Sequence, residues 1–419
     1  MINDDPPLLH AFGGYGIELE YMIVDRGSLS VKPIADSLLR DEATGSVVNE
    51  VERGLLAWSN ELALHLIEVK NPRPCATLAM LPEAFQNEVR QINQRLTPLG
   101  ACLMPGGMHP WMDPATETRL WPHANHAIYR AYDRIFDCLN HGWANLQSMH
   151  INLPFADDHE FARLHAAVRL VLPVVPALAA SSPIADGCPS GWADYRMQVY
   201  ADNAREIPSI AGMVIPETIT SRAAYKKRIL EPMYRAIAPH DPTHVLQHEW
   251  LNSRGAIPRF ERNAIEIRAA DTQECPLADL AVAAAICAAV RRLYREGEAL
   301  LVEQQEMQTE ALATIFRACI GDAEQAVIEH AGYLRLLGFP AQRCTAQELW
   351  KHLAAQLAAD DPLHNALWNG PLRVILQQGT LARRILRAVG PQCTRARLET
   401  VYRRLCECLH EGRMFIEYG

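Results

Sequence analysis

The chain has 419 residues and a formal net charge of −9, with 49% hydrophobic and 21% charged residues. This is the composition of a soluble globular protein, long enough for one large domain or two to three smaller ones. The negative charge argues against nucleic acid as a partner, because binding to its backbone rests on basic patches. No signal peptide is predicted, and the most apolar stretch, 276–290, is too short to span a membrane.

The eleven cysteines are scattered without CxxC pairs, and their number is odd. This favours reduced thiols and a cytoplasmic protein. In "CECLH", Cys406, Cys408 and His410 lie close together, but no second ligand pair follows, so we interpret the stretch as a helix and not as a metal clip. The sequence has no Gly-rich P-loop, so any ATP would be held without that loop.

Strand and helix patterns alternate over the first 275 residues. Strands are predicted at 14–25, 62–70, 145–153, 244–250 and 264–270, with helices at about 77–96, 124–140, 158–180 and 219–231. After residue 276 the strand signals stop, and helices are predicted at 277–302, 309–319, 323–336, 345–359, 371–389 and 394–411. We therefore predict an α+β catalytic body at 1–275 and a helical region at 276–419.

The first predicted strand, "GIELEYMIVD", carries two carboxylates. Side chains alternate along a strand, so Glu18 and Glu20 share one face, while Ile17, Leu19 and Tyr21 share the other. By itself this pattern favours a solvent-facing polar surface, which many antiparallel sheets have.

The next strand, "NELALHLIEVKNP", places Glu68 on the face of Leu62, Leu64 and Leu66. Glu61 would lie on the opposite face of a regular strand. A bend, bulge or break between the two glutamates is therefore needed before both could reach one site.

Two later strands carry polar pairs at the same spacing of two residues. "LQSMHINLPF" places His150 and Asn152 on one face, and "RNAIEIRAAD" does the same for Glu266 and Arg268. Taken alone, the first pair is typical of a structural histidine and the second of a strand ion pair.

Together the four strands supply five glutamates, one histidine, one asparagine and one arginine. Carboxylates crowded on one sheet face repel each other, so positive charge must lie among them. Oxygen-rich ligands with a single imidazole fit Mg²⁺ or Mn²⁺ better than zinc. Two or three such ions, holding phosphate oxygens, would use all five acids.

The ordered set "GIELEYMIV", "NELALHLIEV", "SMHINL" and "AIEIRAAD" resembles the glutamate–cysteine ligase family, which includes bacterial carboxylate–amine ligases and plant-type enzymes. The resemblance covers about residues 12–290, and residues 150–210 are similar in layout to the plant-type members. It implies a glutamine synthetase-like α+β fold, in which a curved, mostly antiparallel sheet forms a funnel-shaped active site.

The resemblance also implies roles for individual residues. Arg268 would face the transferred phosphate, with Glu266 beside it as a second catalytic residue. The metal ligands would fall into two sets: Glu18, His150 and Glu266 for one ion, and Glu20, Glu61 and Glu68 for another.

Substrate contacts follow from the same resemblance. Arg196 and Arg205 would bind the carboxylates of a glutamate substrate through guanidinium forks, with Asn152 also in the substrate site. Their alternative is a salt bridge on a helix surface, with Asp194, Asp202 and Glu206 as available partners. The ATP phosphates would contact Arg254, Arg259 and Arg262.

The implied reaction is an ATP-dependent ligation with Mg²⁺ or Mn²⁺. The side-chain carboxylate of glutamate, or a similar acid, would be joined to an amine such as cysteine through an acyl phosphate. Residues 121–136 either line a substrate pocket, with Arg130 as a candidate, or form a packed helix, and we favour packing. A homodimer is left open. The alternatives are a metal-dependent hydrolase and a non-catalytic binding protein on the same fold.

Overall fold

The computed structural model of the chain describes residues 8–360 and 362–416, with side chains for all of these except 358–360 and 362–367. Its main feature is an eight-stranded sheet in the order β2-β3-β4-β1-β6-β10-β9, with β5 also paired to β1. Neighbouring strands in this sheet run antiparallel. The strands are β1 (Gly16–Asp25), β2 (Glu50–Arg53), β3 (Leu56–Asn60), β4 (Leu66–Lys70), β5 (Ala101–Met104), β6 (Ser148–Pro154), β7 (Ile184–Ala185), β8 (Cys188–Pro189), β9 (Ala256–Arg259), β10 (Ala264–Asp271), β11 (Val327–Ile328) and β12 (Cys344–Thr345).

Helices surround the sheet and make up most of the C-terminal part. They are α1 (Leu81–Leu96), α2 (Pro114–Glu117), α3 (His126–Phe136), α4 (His141–Ala144), α5 (Asp158–Val171), α6 (Pro176–Ala179), α7 (Tyr195–Asp202), α8 (Arg222–Tyr225), α9 (Glu231–Ile237), α10 (Pro276–Tyr294), α11 (Glu298–Glu306), α12 (Thr309–Asp322), α13 (Ala331–Leu336), α14 (Ala346–Asp360), α15 (Pro362–Gln378), α16 (Leu381–Val389) and α17 (Arg395–Glu411). Among the described residues, no helix has the length and apolarity needed to cross a membrane.

One face of the sheet forms the main hydrophobic core. In β1 the side chains of Ile17, Leu19 and Tyr21 are fully buried, as the alternation in the sequence predicts. They belong to one apolar cluster with residues of α1, α5 and α10. Each fully buried large aliphatic side chain of this kind contributes about 1.5–3 kcal/mol to the free energy of unfolding. On the opposite face of β1, Glu18 and Glu20 are followed by Met22 and Val24, which belong to a second apolar cluster with residues of α16 and α17.

The predicted strand at 244–250 is wrong. The carboxylate of Asp241 accepts hydrogen bonds from the backbone N–H groups of Val245 and Leu246, at 3.2 and 2.8 Å. These bonds hold the segment in a local turn instead of a ladder. A short 3₁₀ helix at Glu249–Leu251 follows.

Four short strands of the sheet are not predicted: β2, β3, β5 and β9. Each has four or five residues, too few for alternation to distinguish it from a loop.

The C-terminal part is mainly helical but not wholly so. The stretch 323–336, predicted as one helix, contains the strand β11, which pairs with β12. The stretch 277–302 forms two helices, α10 and α11. Helix α15 begins at Pro362 and continues through Pro371, whereas a helix was predicted only from 371. Cys406 and Cys408 lie in α17, which confirms the helical interpretation of "CECLH".

A buried ion pair joins the two parts of the chain. Arg384 of α16 donates to Glu274, directly before α10, and both side chains are completely buried. Arg384 and Glu274 also bind the backbone of Phe415. The main core likewise contains residues from both sides of residue 275. The division into domains at 1–275 and 276–419 stays a prediction.

Candidate active site

Strand register brings the four polar segments of the sequence together. Antiparallel pairing aligns β4, β1, β6 and β10 side by side, and residues directly opposite each other project on the same face. The paired positions on the polar face are Glu18 with Lys70, Glu20 with Glu68, Glu18 with His150, and Glu266 with Asn152.

Three of the predicted metal ligands form a compact cluster. Glu18, His150 and Glu266 each offer a ligand atom, and these atoms lie within 4.8 Å of one another. His150 Nδ1 lies 2.9 Å from a Glu18 oxygen, and the amide of Asn152 donates to the other oxygen at 3.1 Å. Asn152 packs so closely on Gly16 that a Cβ added at Gly16 would lie 2.9 Å from the Asn152 Cβ. The glycine before the carboxylates is therefore required by this close approach.

The cluster shifts the pKa values of its members in opposite directions. Burial would raise the pKa of Glu18, but the hydrogen bond and charge of His150 outweigh it and hold the pKa below its ordinary value. Burial would lower the pKa of His150, but the bond to Glu18 and the charges of Glu20, Glu18 and Glu266 raise it instead. The surrounding acids thus favour the protonated form of the His150 imidazole.

A second group of carboxylates lies beside the first. Glu20 accepts hydrogen bonds from the backbone N–H and the hydroxyl of Ser148, at 2.7 and 3.0 Å. Glu68 accepts hydrogen bonds from Lys70, at 2.7 Å, and from the hydroxyl of Ser59. Both carboxylates are buried, so each is held in place by fixed donors.

Glu61 reaches this second group because the chain breaks between β3 and β4. It follows the last residue of β3, whereas Glu68 lies within β4. Burial and the charges of Glu20 and Glu68 raise the pKa of Glu61 well above its ordinary value. The structure confirms the predicted break between Glu61 and Glu68. The strand predicted at 62–70 is shorter than expected, because residues 62–65 are not part of it.

Glu266 is held between two arginines. Arg268 donates to it at 2.5 Å, and Arg259, on the neighbouring strand β9, donates at 3.0 Å. Burial would raise the pKa of Glu266, but the charges of Arg268, His150 and Arg259 together outweigh it and lower the pKa. Arg268 thus places a permanent cation at the cluster of Glu18, His150 and Glu266, and Arg259 lies beside the same carboxylate.

Arg196 requires a different role from the one predicted. Its side chain is buried, and its Nε donates to the fully buried carboxylate of Asp271. Its Nη2 donates at 3.2 Å to the backbone carbonyl of Arg268. Neither the proposed substrate fork nor a surface salt bridge with Asp194 fits this arrangement. We therefore reassign Arg196 as a residue that positions the end of β10.

Two further predicted contacts also have other partners. Arg205 is 79% exposed and lies 3.5 Å from Glu206, which matches the alternative of a surface ion pair. Arg254 forms a two-bond pair with Glu217, at 2.6 and 2.7 Å. Both arginines thus have acid partners in this structure, and their predicted contacts, of Arg205 with the substrate and of Arg254 with the ATP phosphates, stay predictions. Arg262 is exposed, and its role stays a prediction.

Helix α3, within the stretch 121–136, is packed as favoured. Tyr132 and Phe136 are buried, and their rings contact Trp143. Arg130 is exposed. The hydroxyl of Tyr129 accepts a hydrogen bond from the amide of Asn60, next to Glu61.

The sequence reading missed Lys70 as the principal counter-charge of the second group. Lys70 lies 2.7 Å from Glu68 and 3.1 Å from Glu50. Burial would lower its pKa, but the charge and hydrogen bond of Glu68, with the charges of Glu18 and Glu50, together outweigh it and raise the pKa. The sequence did carry a signal for this role, because Lys70 lies two residues after Glu68 and therefore on the same face of the strand. Ser59 gave no such signal, because β3 was not predicted.

Comparison with known proteins identifies the family. The family model described as glutamate–cysteine ligase family 2 matches residues 15–407. An uncharacterised protein of Archaeoglobus fulgidus is 38% identical over 281 residues, which cover 67% of this chain and 75% of that protein. A Bradyrhizobium diazoefficiens protein, provisionally named glutamate–cysteine ligase 2, is 27% identical over 286 residues. These cover 67% of this chain but only 59% of that protein.

The fold has a counterpart among solved structures. The crystal structure of the glutamate–cysteine ligase of Francisella tularensis, in complex with AMP, superposes with a TM-score of 0.57 and 11% sequence identity. The match covers 94% of this chain and 88% of that one, and it confirms the predicted fold class. Taken with the family match over most of its length, the chain belongs to glutamate–cysteine ligase family 2.

Proposed function

We propose that this protein is an ATP-dependent carboxylate–amine ligase. Its acid substrate would be glutamate, reacting through the side-chain carboxylate, or a similar acid, and its amine would be cysteine or a related compound. The observation that carries the proposal is the cluster of Glu18, His150 and Glu266 with Arg268 beside it, in a chain of this family.

The donor set fits a hard divalent cation. Carboxylate oxygens predominate and one imidazole is present, which matches Mg²⁺ or Mn²⁺. Glu18, His150 and Glu266 would hold one ion, and Glu20, Glu61 and Glu68 a second. Bound there, the ions would neutralise the charge of ATP phosphate oxygens.

The protein's own residues would supply orientation and fixed charge. Arg268 is held by its hydrogen bond to Glu266 and by a longer contact, of 3.5 Å, from its Nη1 to the backbone carbonyl of Asn252, so its guanidinium needs little reorganisation during the reaction. Arg196 also fixes the backbone at Arg268, because its Nη2 donates a hydrogen bond to the carbonyl oxygen of that residue. Such positioning is the main way in which enzymes assist phosphoryl transfer.

The proposed reaction proceeds through an activated acid. A carboxylate is a poor electrophile, and the sequence has no Ser–His or Cys–His nucleophile motif. The acid oxygen would attack the γ-phosphorus of ATP and displace ADP, which gives an acyl phosphate. The amine nitrogen would then attack the acyl carbon, phosphate would leave, and the amine would lose a proton.

A coupled assay of ADP release tests this proposal. The full chain is incubated with ATP and Mg²⁺, with glutamate and other acids against a panel of amines. A ligase releases ADP only when both acid and amine are present, and an amide appears in equal amount. Hydrolysis of an amide without ATP would indicate a hydrolase, and binding without turnover would indicate a binding protein.

A further inference from the structure

A large cavity lies outside the carboxylate site, on the helical side of the molecule. Its volume is about 1040 Å³, and its lining comes from α10, α14 and α15 and from the segments flanking β1 and β4. None of the described carboxylates of the polar sheet face lines it. A volume of this size is that of a ligand site.

The cavity carries an excess of positive charge. Among the residues whose side chains the structure describes, the lining includes the cations Arg291, Arg292, Arg295, Lys351 and Arg373, against one acid, Glu296. This concentration is unusual in a chain with a net charge of −9. Like charges gathered around one cavity repel each other, and a bound anion would relieve that repulsion.

The four arginines are not engaged by acids. Within the part of the chain that the structure describes, no ion pair joins any of them to a carboxylate, in contrast to Arg254 and Arg384. The Nη1 atom of Arg292 is buried and has no hydrogen-bond partner among the described residues. Nη1 itself is closed off from the cavity, but a guanidinium that is partly buried without a carboxylate partner is costly, and an anion bound beside it would lower that cost.

The rest of the described lining is mainly apolar, with the uncharged polar side chains Thr77, Asn369 and Gln377 among it. Ala284, Ala285 and Ala288 of α10 and Ala354 and Ala355 of α14 belong to this apolar part. Their small side chains leave room for a ligand. The guanidinium of Arg291 lies over the ring of Phe12, with its Cζ atom 5.3 Å from the ring centroid. The cavity therefore combines an apolar floor with cationic walls.

We propose that this cavity binds an organic phosphate with an aromatic or alkyl body. The body would lie on the alanine floor, and the phosphate would accept hydrogen bonds from Arg292 and its neighbouring cations. Inorganic phosphate lacks the body, so it should bind much more weakly. The site is independent of the proposed ligase activity, because it shares no described lining residue with the carboxylate cluster.

Isothermal titration calorimetry of the full chain in EDTA tests this inference. The probes are ADP and decyl phosphate, which separate an aromatic from an alkyl body, with inorganic phosphate as the comparison. At least one organic phosphate should bind. Arg292→Gln should weaken its Kd by about tenfold or more, because a charge-assisted hydrogen bond is lost. The matched change Arg343→Gln, at an exposed arginine paired with Glu329, should alter Kd by less than about twofold.

A second variant tests the floor without changing charge. Ala288→Phe should obstruct part of the alanine floor and weaken binding of the organic phosphate, and its melting temperature shows whether it has folded; if it has not, Arg292→Gln decides alone. Absence of binding by both organic phosphates at about 1 mM would overturn the proposal. So would an unchanged Kd in Arg292→Gln, since the probe would then bind elsewhere, for example at the carboxylate site.

Discussion

Glu20 lies directly opposite Glu68 in the ladder between β1 and β4. Like charges in directly opposed positions destabilise a sheet, so this pair lowers the stability of the protein without ligands. The nearby cations Lys70 and His150 offset part of the repulsion. Such an unfavourable pair is expected where both carboxylates are needed to bind a cation. Removing one of the two charges should therefore have opposite effects on the stability of the metal-free protein and on metal binding.

Glu20→Gln tests that relationship. The change keeps the shape and removes one charge of the opposed pair, so the melting temperature without metal should stay the same or rise. The increase in melting temperature on adding Mg²⁺ with ATP should shrink, because a ligand charge is lost. Turnover of ATP should be abolished.

Glu52→Gln is the matched control, at an exposed position of the edge strand β2. It should leave both the metal-dependent stabilisation and turnover intact. Normal turnover in Glu20→Gln would contradict the assignment of Glu20 as a metal ligand.

Arg196 separates a positioning role from substrate binding. Arg196→Lys keeps the charge but cannot bond Asp271 and the carbonyl of Arg268 with the same fork. We expect kcat to fall while the KM for the acid changes little, because Arg268 is displaced. A rise in the acid KM with an unchanged kcat would restore the substrate-binding role. Steady-state kinetics with the acid varied at saturating ATP distinguishes the two results.

The buried pair of Glu274 and Arg384 should be important for stability. Arg384→Met leaves the Glu274 carboxylate buried without its partner and should lower the free energy of unfolding by roughly 3–5 kcal/mol. Adding Glu274→Leu removes the buried charge and should recover part of the loss. Denaturant unfolding of the single and double variants measures both. A double variant less stable than Arg384→Met would show that the charge is not the cause.

His165 should make the protein less stable in acid. Its ring packs between Phe161 and Tyr225, and burial lowers its pKa from 6.5 to about 3, with a smaller effect of the Arg169 and Arg254 charges. Between those two pH values the unfolded chain binds a proton that the folded chain does not, so stability falls as the pH drops below 6.5. At pH 5 the loss is on the order of 1–2 kcal/mol.

His165→Phe should therefore reduce the difference in stability between pH 7 and pH 5. The control is His159→Phe, since His159 is exposed at the start of α5. Urea unfolding at the two pH values gives the comparison. Equal pH dependence in the wild type and His165→Phe would show that the ring is not the source.

The sequence could predict the long strands of the site because their polar residues recur every second position. Glu18, Glu20 and Glu266 stand out against clean apolar faces, and strand pairing then places them together. The alternation involves only residues that are close together in the sequence, so it can be recognised in a single sequence. Short strands such as β3 have too few residues for the pattern, and Ser59 was missed with it.

The arginines could not be assigned from the sequence because their partners are distant along the chain. Asp271 is 75 residues from Arg196, and Glu217 is 37 residues from Arg254. An arginine in a polar segment looks the same whether it binds a substrate or a buried acid. Only tertiary packing decides between them.

The transfer of ¹⁸O from the acid to phosphate tests the central claim most directly. Glutamate labelled in its side-chain carboxylate is turned over with ATP and an amine, and the released phosphate is analysed by mass spectrometry. An acyl phosphate requires one labelled oxygen to appear in inorganic phosphate, with ADP as the other product. Unlabelled phosphate, with the oxygen that leaves the carboxylate found in water or in released AMP, would contradict the account.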